Sequence, residues 1–262
     1  MNRTTKCAAV FLSASLLALA IHARAADSNS IPSGTILPVS LNSTLSSAKA
    51  KPGQTVTAQV AQDVPLADGR MIHAGAIVIG HITSVTPASN GSPASLSLRF
   101  ETLRAWHQQI PITTDLRAVA GFVAVEEAQV PDSGPDRGTP QTAWTTTQIG
   151  GDAVYRGGGP VMDGAFGQVG EPVSGGVLDR LNANPDGGCR GVEDANGSPQ
   201  ALWVFSSDAC GAYGLPHLKV VHSGRTNPAG EITLESSAGQ VQIHAGAGML
   251  LRANATETPS GA

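Results

Sequence analysis

The alternation of apolar and polar positions is clearest from Lys51 to Ile82. Val56, Ala58 and Val60 point one way from Thr55 to Val60, and Thr55, Thr57 and Gln59 the other, which is the period of a half-buried strand. Asp68-Gly69 interrupts with a turn dipeptide. From Ala76 to Ile82 both faces are largely apolar, as in a central strand or one that wraps a small barrel. Ser95 to Leu103 alternates again, with Leu96, Leu98 and Phe100 inward, and Gln108 to Thr113 reads as its hairpin partner across the Trp106-His107 turn. Thr35 to Leu41 is an earlier strand. Five or six strands in so short a stretch suggest a small β-barrel or sandwich.

The period changes at Leu116 to Gln129. Leu116, Val119, Ala120 and Val123 fall at i, i+3, i+4 and i+7 behind Asp115 as N-cap, which predicts one short helix, although Gly121 and the valines leave a strand open. From residue 131 to 200 strand patterning fades into a Gly/Pro-rich connector that includes Gly157-Gly158-Gly159. Patterning resumes at Ala201-Leu202-Trp203-Val204-Phe205. Leu218 to Val221 reads as a strand, Glu231 to Ser236 and Gln240 to His244 as a hairpin, and Met249 to Arg252 as the last strand. The expected fold is mainly β: a barrel-like or sandwich domain over 30–130, the connector, and a second small β domain over 201–255.

Three segments share an apolar residue, two spacers and Gly ahead of a strand: Ile31-Pro32-Ser33-Gly34, Ile72-His73-Ala74-Gly75 and Ile243-His244-Ala245-Gly246. Gly accepts positive φ where a chain turns into a strand, so a common turn geometry accounts for the copies.

The N-terminus alters the picture of where the chain works. Arg3 and Lys6 precede an apolar run, Ala8 to Ile21, and Ala23-Arg24-Ala25 is a small-x-small cleavage pattern, so residues 1–25 read as a signal peptide. The run is shorter than the roughly 20 residues of a membrane span, and no later run reaches that length, so no transmembrane helix is expected after processing. Processing removes Arg3, Lys6 and Arg24 from 16 basic residues and none of the 20 acidic ones, which leaves 13 against 20 and a net charge of −7. That balance argues against nucleic acid as a partner. Cys189 and Cys210 remain, and an oxidising compartment makes them a disulfide.

The first half resembles the C-terminal β-barrel domain of the type IV secretion and conjugation pore scaffold family. The resemblance is carried by Ile31-Pro32-Ser33-Gly34-Thr35, by Gly53-Gln54 with Ala58 and Val60, by Asp63-Val64, and by Gly69, Ile72, Gly75 and Gly80. It departs at His73, where that family has Pro, and in having a leader in place of the family's long N-terminal half. It implies a related barrel at a cell envelope rather than a complete pore scaffold. The C-terminal half is similar to uncharacterised secreted bacterial proteins, a likeness that carries no activity.

Candidate chemistry is sparse. There is no Gly-x-Ser-x-Gly elbow; Ser206-Ser207-Asp208 with His217 and His222 is the nearest to a Ser/His/Asp set. No His-x-His or Cys-x-x-Cys occurs, so no metal site and no cofactor are expected. Asp63, Asp68, Glu101 and Asp115 are scattered acids, and Glu126-Glu127 are adjacent and so do not face one another. Trp106 and Trp144, in turn or loop, are the candidate ligand-binding residues, because an indole offers a broad apolar face with a polar edge; Trp203 reads as strand core. The expectation is a non-enzymatic periplasmic, outer-envelope-associated or secreted protein, connected with secretion or envelope assembly and acting on protein or a cell-envelope polymer. The alternative is a secreted protein that binds or degrades polysaccharide.

Overall fold

The computed structural model describes residues 30–89, 91–130, 145–151, 153–155, 160–163, 167–173, 175–181 and 199–254. The first part of the chain forms β1 (Ile36–Leu41), β2 (Leu45–Ser46), β3 (Thr55–Val60), β4 (Val64–Pro65), β5 (Met71–Ile72), β6 (Ile77–Thr86), β7 (Ala94–Ala105), β8 (Gln108–Pro111), β9 (Thr113–Ala120) and the helix α1 (Phe122–Gln129). Then come β10 (Thr145–Thr147), β11 (Ala153–Tyr155), β12 (Val161–Asp163), β13 (Gly167–Val173), β14 (Gly176–Arg180) and β15 (Pro199–Ala201). The chain continues with β16 (Gly211–Tyr213), β17 (Leu218–His222), β18 (Ile232–Ser236), β19 (Gln242–Ile243) and β20 (Gly248–Asn254).

The protein is mainly β, as the alternation predicts, but the division into domains differs from the one expected. One sheet of ten strands runs β16-β9-β20-β1-β3-β6-β7-β18-β17, with β8 beside β18 on the outer edge of β7. The 201–255 segment therefore builds no sheet of its own. Its β20 lies between β1 and β9, and its β18 between β7 and β17. The cause is burial: Ile232 and Leu234 find their apolar neighbours across β7 at Leu98 and Leu96, not in a local hairpin. The expected hairpin of 231–236 with 240–244 is replaced accordingly, since β18 pairs with β17 and β7 while β19 pairs with β2.

The ladder does not close into a barrel. Leu116 N–H donates to Ser223 O at 2.7 Å, a backbone bond between β9 and the loop after β17. The loop 223–230 packs tightly there, with Gly224 so close to β9 that a Cβ would sit 3.0 Å from Thr114 O.

Inside the curl lies the main core, which includes Val56, Ala58, Leu96, Leu98, Phe100, Leu103 and Leu251. Burying a side chain such as Phe100 contributes about 1.5–3 kcal/mol. A second cluster covers the other face of β1, β20 and β9: Ile36, Leu250, Ala118 and Ala120 meet Val125 of α1 and the turn Leu202–Phe205. These strands are buried on both sides, which is why β9 carries no polar alternation and reads as helical. Asp115 is thus a β9 residue rather than a helix cap, and α1 starts at Phe122. Trp203, expected in a strand, occupies a turn at φ 55° and is buried there.

The recurrent Gly motif is a strand-opening turn, and among the described residues it opens β1, β3, β6 and β20. Thr35 N–H bonds to Pro32 O, Gln54 to Lys51 O, Ala76 to His73 O and Ala247 to His244 O, at 3.0–3.2 Å. The third residue of each turn is Gly34, Gly53, Gly75 or Gly246, all with φ between 82° and 93°, the geometry of a type II turn. Each of these glycines donates to the far end of the neighbouring strand: Gly34 to Ala253 O, Gly246 to Leu41 O, Gly53 to Ile82 O and Gly75 to Val60 O. The pairs β1/β20 and β3/β6 are in this way clamped reciprocally at both ends.

The Gly-rich 131–200 region is the other correction. Its described pieces, with Ala201, form a sheet of six strands, β10 to β15 in sequence order. Gln62, wholly buried, ties this sheet to the first: its Nε2 donates to Val177 O (3.0 Å), and its Oε1 accepts from Val177 N (3.3 Å) and Trp203 N (2.7 Å). Gly176 permits the approach, because a Cβ there would lie 2.3 Å from Gln62 Oε1.

Candidate functional site

The six-stranded sheet carries a cleft of about 390 Å³, lined among the described residues by Gln168, Val169, Gly170, Glu171, Leu178, Arg180 and Pro199. Register explains who lines it. Glu171 lies directly opposite Leu178, and Arg180 opposite Pro199. Since side chains two apart on a strand share a face, Glu171, Leu178, Arg180 and Pro199 project together. Val177 and Asp179 alternate with them and are buried.

Arg70–Asp68 (2.6 Å), Arg99–Glu231 (3.6 Å) and Arg252–Asp115 (2.7 Å) are ion pairs, and the His73 and His81 rings lie 3.5 Å and 3.0 Å from the Asp63 and Glu101 carboxyl groups. Among the described residues, the side chains of Glu171 and Arg180, like those of Arg104, Lys219 and Glu235, have neither an ion-pair nor a hydrogen-bond partner. Glu171 and Arg180 are exposed charges of opposite sign, one step apart on the diagonal of the ladder, with half-buried Leu178 between them.

The sequence candidates lie elsewhere. Trp106 sits in the β7–β8 turn at φ 48° and is half-buried. Its Nε1 donates to Met71 O (2.9 Å), and the Arg70 guanidinium lies 4.8 Å from the ring centroid. Asp68 holds Arg70 in place through Nε (2.9 Å) and Nη2 (2.6 Å). The protein itself thus occupies the polar edge and one face of that indole. Trp144 and Cys189 lie outside the described residues, as do the signal segment 1–25 and Gly157-Gly158-Gly159. Cys210 N–H donates to Tyr213 Oη at 2.8 Å.

Ser206 and Ser207 are buried without exposure. His222 directs its ring into its own loop, toward Glu231 O (2.5 Å), Asn227 O (3.3 Å), Thr226 Oγ1 (3.2 Å) and Gly224 N (3.1 Å). No hydrogen bond among the described residues joins it to Ser206, Ser207 or Asp208. The scattered acids go to separate partners: Asp63 accepts from Ala74 N (2.8 Å), Asp68 pairs with Arg70, Glu101 with His81 and Asp115 with Arg252. Among the described residues no group of three or more His, Cys, Asp or Glu could hold a metal ion.

Arg117 is the buried cation that the sequence reading passed over. Its Nε donates to Ala209 O (3.1 Å) and its Nη2 to Ser207 O, which staples the 207–209 segment to β9. Burial lowers its pKa to about 10, against the opposing pull of Asp208. Its bonds to carbonyl groups give it a structural role.

The cleft itself lay in the stretch read as connector. Its strands carry no apolar alternation: Glu171 falls on the same parity as Val169 and Val173, and Asp179 on that of Val177. No family model matches the chain, and no curated protein matches it either.

Proposed function

We propose that this chain is an exported, non-enzymatic protein of the cell envelope or the extracellular space, connected with envelope assembly or secretion, that acts by holding protein or polymer in the cleft of its six-stranded sheet. The observation that carries the reading is the cleft itself, on which Glu171 and Arg180 present exposed side chains of opposite charge. Side chains that are exposed, charged and unpaired on a rigid sheet suit a contact surface, and the basic-apolar N-terminus fits export. Among the described residues no helix is long and apolar enough to cross a membrane, so the reading requires association through surfaces.

Fractionation of the native host followed by crosslinking tests it. The protein is expected in envelope or extracellular fractions, crosslinked to a partner through positions flanking the cleft. Recovery as a cytoplasmic protein, or identical crosslinks after Glu171 and Arg180 are both changed to Gln, refutes it.

A further inference from the structure

Resting on that binding role, we infer that the ligand of the cleft is a short zwitterionic peptide segment, its carboxylate held by Arg180 and its ammonium by Glu171. Two features of the cleft point to this chemistry.

The first is charge. Arg180 presents a planar fork of donors suited to a carboxylate, and Glu171 presents acceptors only. A ligand with both a carboxylate and an ammonium can engage the two side chains at once, whereas a singly charged one engages only one of them.

The second is spacing. Glu171 pairs with Leu178, and Arg180 is two residues along the same strand, so the two Cα atoms are diagonal neighbours at about 7–8 Å. An extended tripeptide is about 10–11 Å long at about 3.3–3.6 Å per residue, a span that the long Glu171 and Arg180 side chains reach by leaning apart. Leu178 and Val169 offer an apolar floor beneath its middle residue, and the Gln168 amide offers a donor and an acceptor to its backbone. The volume, about 390 Å³, is in the range of small-ligand clefts.

The test is calorimetric titration of the full mature chain with glycyl-leucyl-glycine, with its N-acetylated and C-amidated form, and with maltotriose. The free tripeptide is expected to bind, and the capped form to bind about tenfold more weakly for the loss of charge-assisted bonds. Arg180→Gln and Glu171→Gln should each weaken the free tripeptide by about tenfold and leave the capped form unchanged. The double reversal Glu171→Arg with Arg180→Glu should restore binding in the opposite orientation. All four substitutions are at exposed positions, and unchanged circular dichroism and melting verify the fold. Maltotriose binding as tightly as the tripeptide, tripeptide affinity indifferent to the substitutions, or no heat at millimolar tripeptide each overturns the inference. Envelope crosslinking that persists, still dependent on both charges, while the tripeptide fails to bind removes the peptide ligand alone. Crosslinking that ignores both charges removes the binding role as well.

Discussion

Replacing Gln62 by Leu examines the junction between the two sheets, and its cost can be worked out bond by bond. The side-chain amide makes three hydrogen bonds, to Val177 O, Val177 N and Trp203 N. Leu keeps the approximate volume but makes none of them. Val177 O still accepts from Leu202 N at 2.9 Å, so the carbonyl is not orphaned. The two N–H groups are, at about 1–3 kcal/mol each for a buried unsatisfied donor. Against that, Leu adds apolar burial of about 1 kcal/mol. The net expectation is a loss of about 3 kcal/mol in urea unfolding, midway through the range these values allow. Hydrogen exchange should localise it: the Val177 and Trp203 amides accelerate, while β3 and β6 keep their protection. Gln62→Glu supplies acceptors for both N–H groups but turns an anion toward Val177 O in a buried site, so it should be worse than wild type and worsen further as pH rises and the carboxyl ionises. A loss under about 1 kcal/mol for Gln62→Leu, with unchanged exchange at Val177, would refute the assignment of this side chain as the tie between the sheets.

Asp68 and Asp115 should titrate on opposite sides of the ordinary carboxyl value of 3.8, which carbon-13 NMR of the carboxyl groups can read. The hydrogen bond from Arg70 lowers Asp68, so its contribution to stability is present above 3.8 and fades as pH falls through its folded value. Burial raises Asp115 in spite of Arg252, so its ionisation costs the fold; stability falls as pH rises from 3.8 through the raised value, and Asp115→Asn should flatten that limb. Gly53→Ala meets no atom within 4 Å and should cost only the left-handed backbone penalty, about 1–2 kcal/mol. Gly246→Ala should cost more, by about 1–3 kcal/mol, because its methyl would lie 2.6 Å from the Phe122 ring; calorimetric melting separates the two. Non-reducing peptide mapping should yield a Cys189–Cys210 linked peptide, and Cys210→Ser should lower stability by about 3 kcal/mol; unlinked peptides would refute the bridge.

Much of the first sheet was legible because its strands bury one face. Val56, Ala58 and Val60 alternate in sequence and are buried in β3, and Leu96, Leu98 and Phe100 do the same in β7. The Trp106-His107 turn and its hairpin partner were likewise readable. β9 was not, because both faces of Leu116 to Ala120 are covered, and a run apolar on both sides has no period to distinguish strand from helix. Pairing between distant segments was illegible for a different reason: nothing local in Met249 to Arg252 says that its neighbours are β1 and β9. The cleft was missed because its strands are short and separated by glycines. Those glycines serve close approach, as at Gly176 beside Gln62, where the reading took them to mean irregular chain.

The placement of β20 bears on how the molecule comes together. The final strand of the sheet to be synthesised is an interior one, hydrogen-bonded to β1 more than two hundred positions upstream and to β9 on its other edge. Until Gly248–Asn254 exists, β1 and β9 each present an open, apolar-flanked edge, and the early strands cannot settle into their final arrangement. A polypeptide ending before Gly248 lacks the middle of its sheet, not a dispensable tail.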